Sequence, residues 1–135
     1  VTVARGWRAK KMAQEEVDGD AEKQYSLLYR YSDELISDFK QNACKVNAEH
    51  ISPTLLPRFE SLYICLDSCN KGFVVGCRPF VGVDDCHLKT KYGGILLIAV
   101  GRDPNDQYYP IAFVVVESET KKSWRWFLTF LLKDI

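Results

Sequence analysis

The chain reads as an α+β protein in which helices come first and a β-β-β-α unit follows. Three observations carry this reading. The first half repeats apolar residues at the three-and-four spacing of helical faces. From Gly76 onward, β-branched and aromatic runs alternate with short turn clusters. The last stretch, from Thr120, returns to helical spacing. The pattern divides the chain into a helical lead-in over residues 1–75 and a second unit over residues 76–135.

Taken in order, Arg8 to Val17 is rich in Ala, Lys, Gln and Glu, which favour helix. Gly19 interrupts it. A second helix is expected from about Ala21 to Phe39, with Tyr25, Leu28, Ser32, Leu35, Ile36 and Phe39 on one face. Ser32 is the polar member of that stripe. Cys44 to His50 alternates loosely and suits a short strand. Ser52, Pro53 and Pro57 mark a loop, and Pro57 suits the first turn of a helix. Phe59, Leu62, Tyr63, Leu66 and Cys69 would give that helix its apolar face, and Gly72 would end it in a left-handed cap.

Three strands are then expected, at Arg78 to Leu88, Ile95 to Val100 and Tyr108 to Glu117. Gly93-Gly94 and Asp103-Pro104-Asn105-Asp106 form the links. Such short links make hairpins, so the strands should be antiparallel neighbours. Thr120 would cap a final helix with Trp124, Phe127, Leu128, Leu131 and Ile135 on one face. Lys121, Lys122, Arg125 and Lys133 fall largely elsewhere and should be solvated.

The bulk composition narrows the function classes. The chain has 135 residues, 47% hydrophobic and 27% charged, an ordinary balance for a globular protein with a core. Eighteen basic and eighteen acidic residues cancel to a net charge of +0, without the basic excess of a compact DNA-binding module. The five cysteines, Cys44, Cys65, Cys69, Cys77 and Cys86, are odd in number and uneven in spacing, which reads as reduced thiols. No apolar run reaches the length of a membrane span. No secretory signal opens the chain. It begins at Val1 and stops at Ile135 directly after an apolar helical pattern, so a piece of a larger protein is expected.

The stretch Phe80-Val81-Gly82-Val83-Asp84-Asp85-Cys86-His87-Leu88 places acidic residues inside an apolar strand. By alternation, Phe80, Asp84, Cys86 and Leu88 share one face, and Val81, Val83, Asp85 and His87 the other. A carboxylate inside an apolar strand needs a partner if it is buried. Mg²⁺ is one such partner, since it prefers carboxylate oxygens. Solvent at a strand end, or a backbone N–H, is another. A two-metal phosphoryl-transfer site needs several converging carboxylates, and this strand offers one candidate, Asp84.

Gly76 to Lys89 resembles the start of the Mutator-like (MULE) transposase domain. The likeness continues through Tyr92-Gly93-Gly94-Ile95-Leu96-Leu97, Ala99-Val100-Gly101-Arg102-Asp103 and Tyr109-Pro110-Ile111-Ala112-Phe113. It runs on through Val115-Val116-Glu117-Ser118-Glu119 to Ser123-Trp124-Arg125-Trp126-Phe127-Leu128. Gln24-Tyr25-Ser26-Leu27-Leu28 and Tyr31-Ser32-Asp33-Glu34-Leu35 resemble the helical region upstream of that domain. The resemblance implies a ribonuclease H-like core, truncated here after β-β-β-α. The complete core continues with parallel strands, so the class spans α+β and α/β. It implies DNA transposition by a metal-dependent Asp-Asp-Glu site using Mg²⁺ or Mn²⁺, transposon-end DNA as partner, and a nuclear location. By motif position the first Asp is Asp84, as catalytic residue and metal ligand. The family pattern follows that Asp with Gly, where this chain has Asp85. The second Asp and the Glu lie beyond the first helix in the family, so the chain is expected to be inactive alone and to bind no metal stably. Asp103, Asp106, Glu117, Glu119 and Asp134 match neither position.

A transposase-derived regulator that binds DNA or protein without catalysis is the alternative function. Cys77, Cys86 and His87 lack the paired spacing of a zinc site, and Cys65 and Cys69 at a spacing of four fit one helical face. Trp124 and Phe127 read as core, with Trp126 off their stripe. Arg8, Lys10 and Lys11 read as a solvated helix face. A sheet lacking its later strands would keep an open edge, which favours self-association and poor solubility.

Overall fold

The computed structural model describes residues 2–19 and 21–135. In chain order its elements are α1 (Val3–Asp18), α2 (Ala21–Ser26), α3 (Leu28–Asp38), β1 (Ala43–Glu49) and β2 (Arg58–Cys65). They continue with α4 (Asp67–Gly76), β3 (Gly82–His87), β4 (Ile95–Arg102), β5 (Tyr108–Val116) and α5 (Lys121–Asp134). The strands form one five-stranded sheet in the order β1-β2-β5-β4-β3, with every pairing antiparallel. The fold is α+β, and β3, β4 and β5 are antiparallel neighbours as their short links require.

Most expected elements form, with shifted ends. Helix α1 starts earlier than Arg8 and stops at Gly19, whose φ of 77° suits glycine. Its side chains from Val3 to Val17 are all exposed. The helix expected over Ala21 to Phe39 is broken at Leu27 and ends at Asp38. Phe39 leaves the helical stripe in extended backbone and is exposed. Ser32, the polar member of that stripe, is buried, and its hydroxyl bonds the Cys44 thiol. A buried hydroxyl is tolerated because it has this partner. The first strand of the β-β-β unit begins at Gly82 rather than Arg78, since Pro79 and the tight turn from Phe80 N to Arg78 O keep 78–81 out of the ladder.

One expectation is overturned. The helix proposed from Pro57 to Gly72 is instead strand β2 followed by helix α4. Gly72 lies inside α4, so it is no left-handed cap, and Cys65 ends a strand while Cys69 lies in the helix. β2 lies between β1 and β5 and is covered on both faces. Ser61 to Cys65 are therefore buried without a break. A strand covered on both sides reads as a continuous apolar run, and periodicity alone cannot tell it from a helix.

Each face of the sheet has its own core. On one, Phe127 and Leu131 of α5 pack on Tyr63, Cys65, Ile95, Leu97, Ala99, Ala112, Val114 and Val116. Trp126, expected off the stripe, also packs here, edge-on to Tyr63 and Phe130. Leu128 and Ile135, expected on the buried face, are exposed. Thr120 caps α5 through a reciprocal pair of bonds with Ser123. On the other face, α3 lays Leu28 and Leu35 over Cys44, Leu62 and Ile64. Helix α4 closes the end of the sheet by close approach. A Cβ on Gly101 would stand 2.7 Å from the Phe73 ring, and one on Gly72 would meet the Tyr109 hydroxyl.

A polar link crosses the larger core. The Tyr63 hydroxyl donates to Asp134 Oδ2 at 2.8 Å, and Asn70 Nδ2 donates to the Asp134 carbonyl. Sheet, α4 and the end of α5 are thereby tied at one point. Burial first, and then the bond to Asp134, push the Tyr63 hydroxyl far above its ordinary pKa. Burial also raises Cys44 and Cys65.

Two predictions follow from this core. Phe127→Ala should destabilise the fold by about 3–5 kcal/mol, read as a shift of the urea unfolding midpoint. Because Tyr63, Cys44 and Cys65 have raised folded-state values, their contribution is whole below the unfolded-state pKa values and is lost as pH climbs above them. Stability should therefore fall from about pH 9 upward, at up to ~1.4 kcal/mol per pH unit for each ionising group. Tyr63→Phe should make that alkaline decline shallower, while costing about 1 kcal/mol at neutral pH by leaving Asp134 without its donor. Urea titrations from pH 7 to pH 11 would check both statements.

Candidate functional site

Residues directly opposed in a ladder share one face of the sheet. Asp84 opposes Ile98, Ile98 opposes Phe113, Phe113 opposes Ile64, and Ile64 opposes Cys44. The next row runs from Cys86 through Leu96, Val115 and Leu62 to Val46. Both rows lie on the face that α3 covers. Cover is complete at β1 and β2, where Cys44, Leu62 and Ile64 are buried. It thins across β5 and β4, where Phe113, Val115, Leu96 and Ile98 are half-buried, and ends at exposed Asp84 and Cys86 on β3.

Asp84 thus stands at the open edge of a half-open apolar face. Among the described residues β3 pairs only with β4, so its outer edge carries no partner strand. The alternation read from sequence is correct: Asp84 shares its face with Cys86 and is opposed to that of Asp85. The burial that an acidic residue in an apolar strand suggests does not occur, because an edge position leaves the carboxylate in water. Asp84 Oδ1 accepts the backbone N–H of Asp85 at 2.9 Å.

Asp85 takes the place where the family pattern has Gly. Its side chain is half-buried on the α5 face, opposite Leu97. The added carboxylate therefore projects away from the face of Asp84, and the group that touches Asp84 is a backbone N–H that glycine would also supply.

The Mg²⁺ or Mn²⁺ chemistry implied by the resemblance needs several carboxylates around two cations. Among the described residues no group of three or more His, Cys, Asp or Glu is placed to hold a metal ion. One exposed carboxylate does not fix two hydrated cations, so these residues do not make that site by themselves. Five other acids of the second half are engaged elsewhere. Asp103 Oδ1 accepts the N–H groups of Asn105 and Gln107 in the β4–β5 turn. Asp106 pairs with Arg78 at 2.8 Å, Glu117 with Arg58 at 2.6 Å, and Glu119 accepts from the Trp124 indole at 2.9 Å. Asp134 holds Tyr63. Cys86 and His87, neighbours on a strand, project to opposite faces, and Cys77 follows α4 beside Gly101.

A cluster that sequence reading missed lies further along the face of Asp84. Tyr25, Phe59 and Tyr92 meet there beside the Arg58–Glu117 pair. These residues come from four separate segments, and no spacing in the chain announces their meeting.

No curated protein and no solved structure matches the chain. A family model does match, over residues 80–134, and its description is the MULE transposase domain. This range spans β3, β4, β5 and all of α5, the strands and helix around Asp84. From Phe80 to Asp134 the chain is similar to the MULE transposase domain.

Proposed function

We propose that the chain is part of a Mutator-like DNA transposase and that Asp84 is the first carboxylate of its metal-dependent phosphoryl-transfer site. The observation that carries this reading is the placement of Asp84 within the family segment. It stands exposed on the first strand of an antiparallel β-β-β-α unit, at the sheet edge where a further strand has room to pair. That order is the opening of the ribonuclease H-like core that the resemblance implies. Two further carboxylates, an Asp and a Glu, would complete the site, and Asp103, Asp106, Glu117, Glu119 and Asp134 are committed elsewhere. On this reading the complete transposase has transposon-end DNA as its partner and works in the nucleus, and this chain alone does not cleave DNA. The open β3 edge is its route to self-association.

The direct test is incubation of the purified chain with a transposon-end duplex and Mg²⁺ or Mn²⁺. No nicking above background is expected, from the chain or from Asp84→Ala. Metal-dependent nicking abolished by Asp84→Ala would overturn the single-carboxylate account. Salt-dependent duplex binding with no nicking under any condition, from a longer protein carrying all three carboxylates, would favour the non-catalytic regulator instead.

A second expectation concerns metal alone. Mn²⁺ titrated calorimetrically should show no saturation below the millimolar range. Asp85→Gly should leave that result unchanged, because its side chain faces away from Asp84. It should lower stability by roughly 0.5–1 kcal/mol through the flexibility of glycine in a strand. Tight Mn²⁺ binding lost on Asp85→Gly would mean that both carboxylates act together.

A further inference from the structure

An open cavity of about 780 Å³ lies on the face of Asp84, beyond the end of β5. Its walls are rings from three elements. The Tyr25 and Phe59 centroids are 4.9 Å apart with planes tilted by 53°, and Tyr25 and Tyr92 meet edge-on at 5.8 Å. Arg58 and Glu117 stand at its rim. Both Arg58 bonds, from Nε at 3.0 Å and Nη2 at 2.6 Å, fall on Glu117 Oε1. Among the described residues Oε2 takes no donor. The Gly94 backbone forms part of the lining at a φ of 107°, and a Cβ there would press to 3.1 Å from the Val116 carbonyl.

We propose that this cavity binds a nucleobase, with guanine the best match, presented by an unpaired DNA strand. The inference rests on the DNA-transposase reading for the source of the base, and on the cavity's own chemistry for the base itself. The volume falls in the range of small-molecule sites, roughly 300–1,000 Å³. Aromatic side chains stack on the π-faces of unpaired bases. Guanine carries an acceptor, O6, next to its N1 and N2 donors. Arg58 and Glu117 offer a donor and an acceptor side by side, the complementary order.

Position adds a second argument. The cavity lies two to four residues further along the strands than Asp84, about 7–13 Å, and two strands across, about 10 Å. A few nucleotides of one unpaired strand reach both places. The half-buried apolar surface of Phe113, Leu96 and Ile98 lies between them.

The test uses the full chain and a single-stranded oligonucleotide in which one guanine is replaced by a fluorescent pteridine analogue that keeps the O6-type acceptor and both donors of the guanine edge. Binding should quench the fluorophore. Guanosine monophosphate should compete, and thymidine monophosphate should compete at least tenfold less well. Tyr92→Ala removes an exposed ring from a turn, so beyond the small cost of its edge-on contact with Tyr25 it should leave the fold intact while weakening binding about tenfold to a hundredfold. Tyr92→Phe keeps the ring and should keep the affinity. Glu117→Gln should erase the preference for guanine.

The outcomes separate the two claims. If the oligonucleotide binds equally well to wild type and Tyr92→Ala, with no quenching, DNA binding stands and the cavity proposal is overturned. If guanosine monophosphate binds in a Tyr92-dependent way and the oligonucleotide does not, the base site stands and its ligand is a free nucleotide, which overturns the DNA strand as source. Failure of both ligands overturns the proposal outright.

Discussion

The pairing of β2 with β5 is the contact on which the rest of the structure depends. Ser61 to Cys65 lie against Ala112 to Val116, more than forty residues later. Without that ladder, the β1–β2 hairpin and the β3–β4–β5 unit would be two small sheets, and a hairpin alone is marginal in water. With it, Tyr63 lies under α5 and Ile64 under α3, so the two cores share one wall. The ladder also fixes the rows that end at Asp84. Every statement about which face Asp84 occupies runs through β2, β5 and β4 in turn.

The two faces have different tasks. The α5 face is closed by large rings and crossed by the bond from Tyr63 to Asp134. The α3 face is closed only over β1 and β2. Toward β3 it opens, leaving half-buried apolar side chains beside an exposed carboxylate at the rim. The open side holds both Asp84 and the aromatic cavity, while the closed side holds the larger core. Edge strands are usually guarded by charge, and β3 carries Asp84 and Asp85 on its opposite faces.

Much of this was legible in the residues, and the failures have identifiable physical causes. The family segment declared its strands because its links are short and rich in Gly, Asp and Asn. The face of Asp84 followed from simple alternation. β2 was misread because Phe59, Leu62, Tyr63 and Leu66 happen to fall at helical spacing, and a strand covered on both sides has no alternation to correct the error. Exposure of Asp84 was not legible either, since edge or centre is a matter of sheet order and not of local pattern. The cavity was invisible for a further reason: Tyr25, Phe59, Tyr92 and Glu117 meet only after α2, β2, β4 and β5 have taken their places.

Native-state hydrogen exchange tests the central claim most directly. If β2 and β5 belong to one cooperative sheet, the amides of Leu62 to Cys65 and Ala112 to Val115 should open with the same free energy as those of Leu97 to Ala99. The outward-facing amides of β3 should exchange fastest among the strands of the family segment. Earlier opening of β1 and β2 as a separate unit, with β4 and β5 still protected, would contradict the account, because the family segment would then stand without the hairpin that completes its sheet.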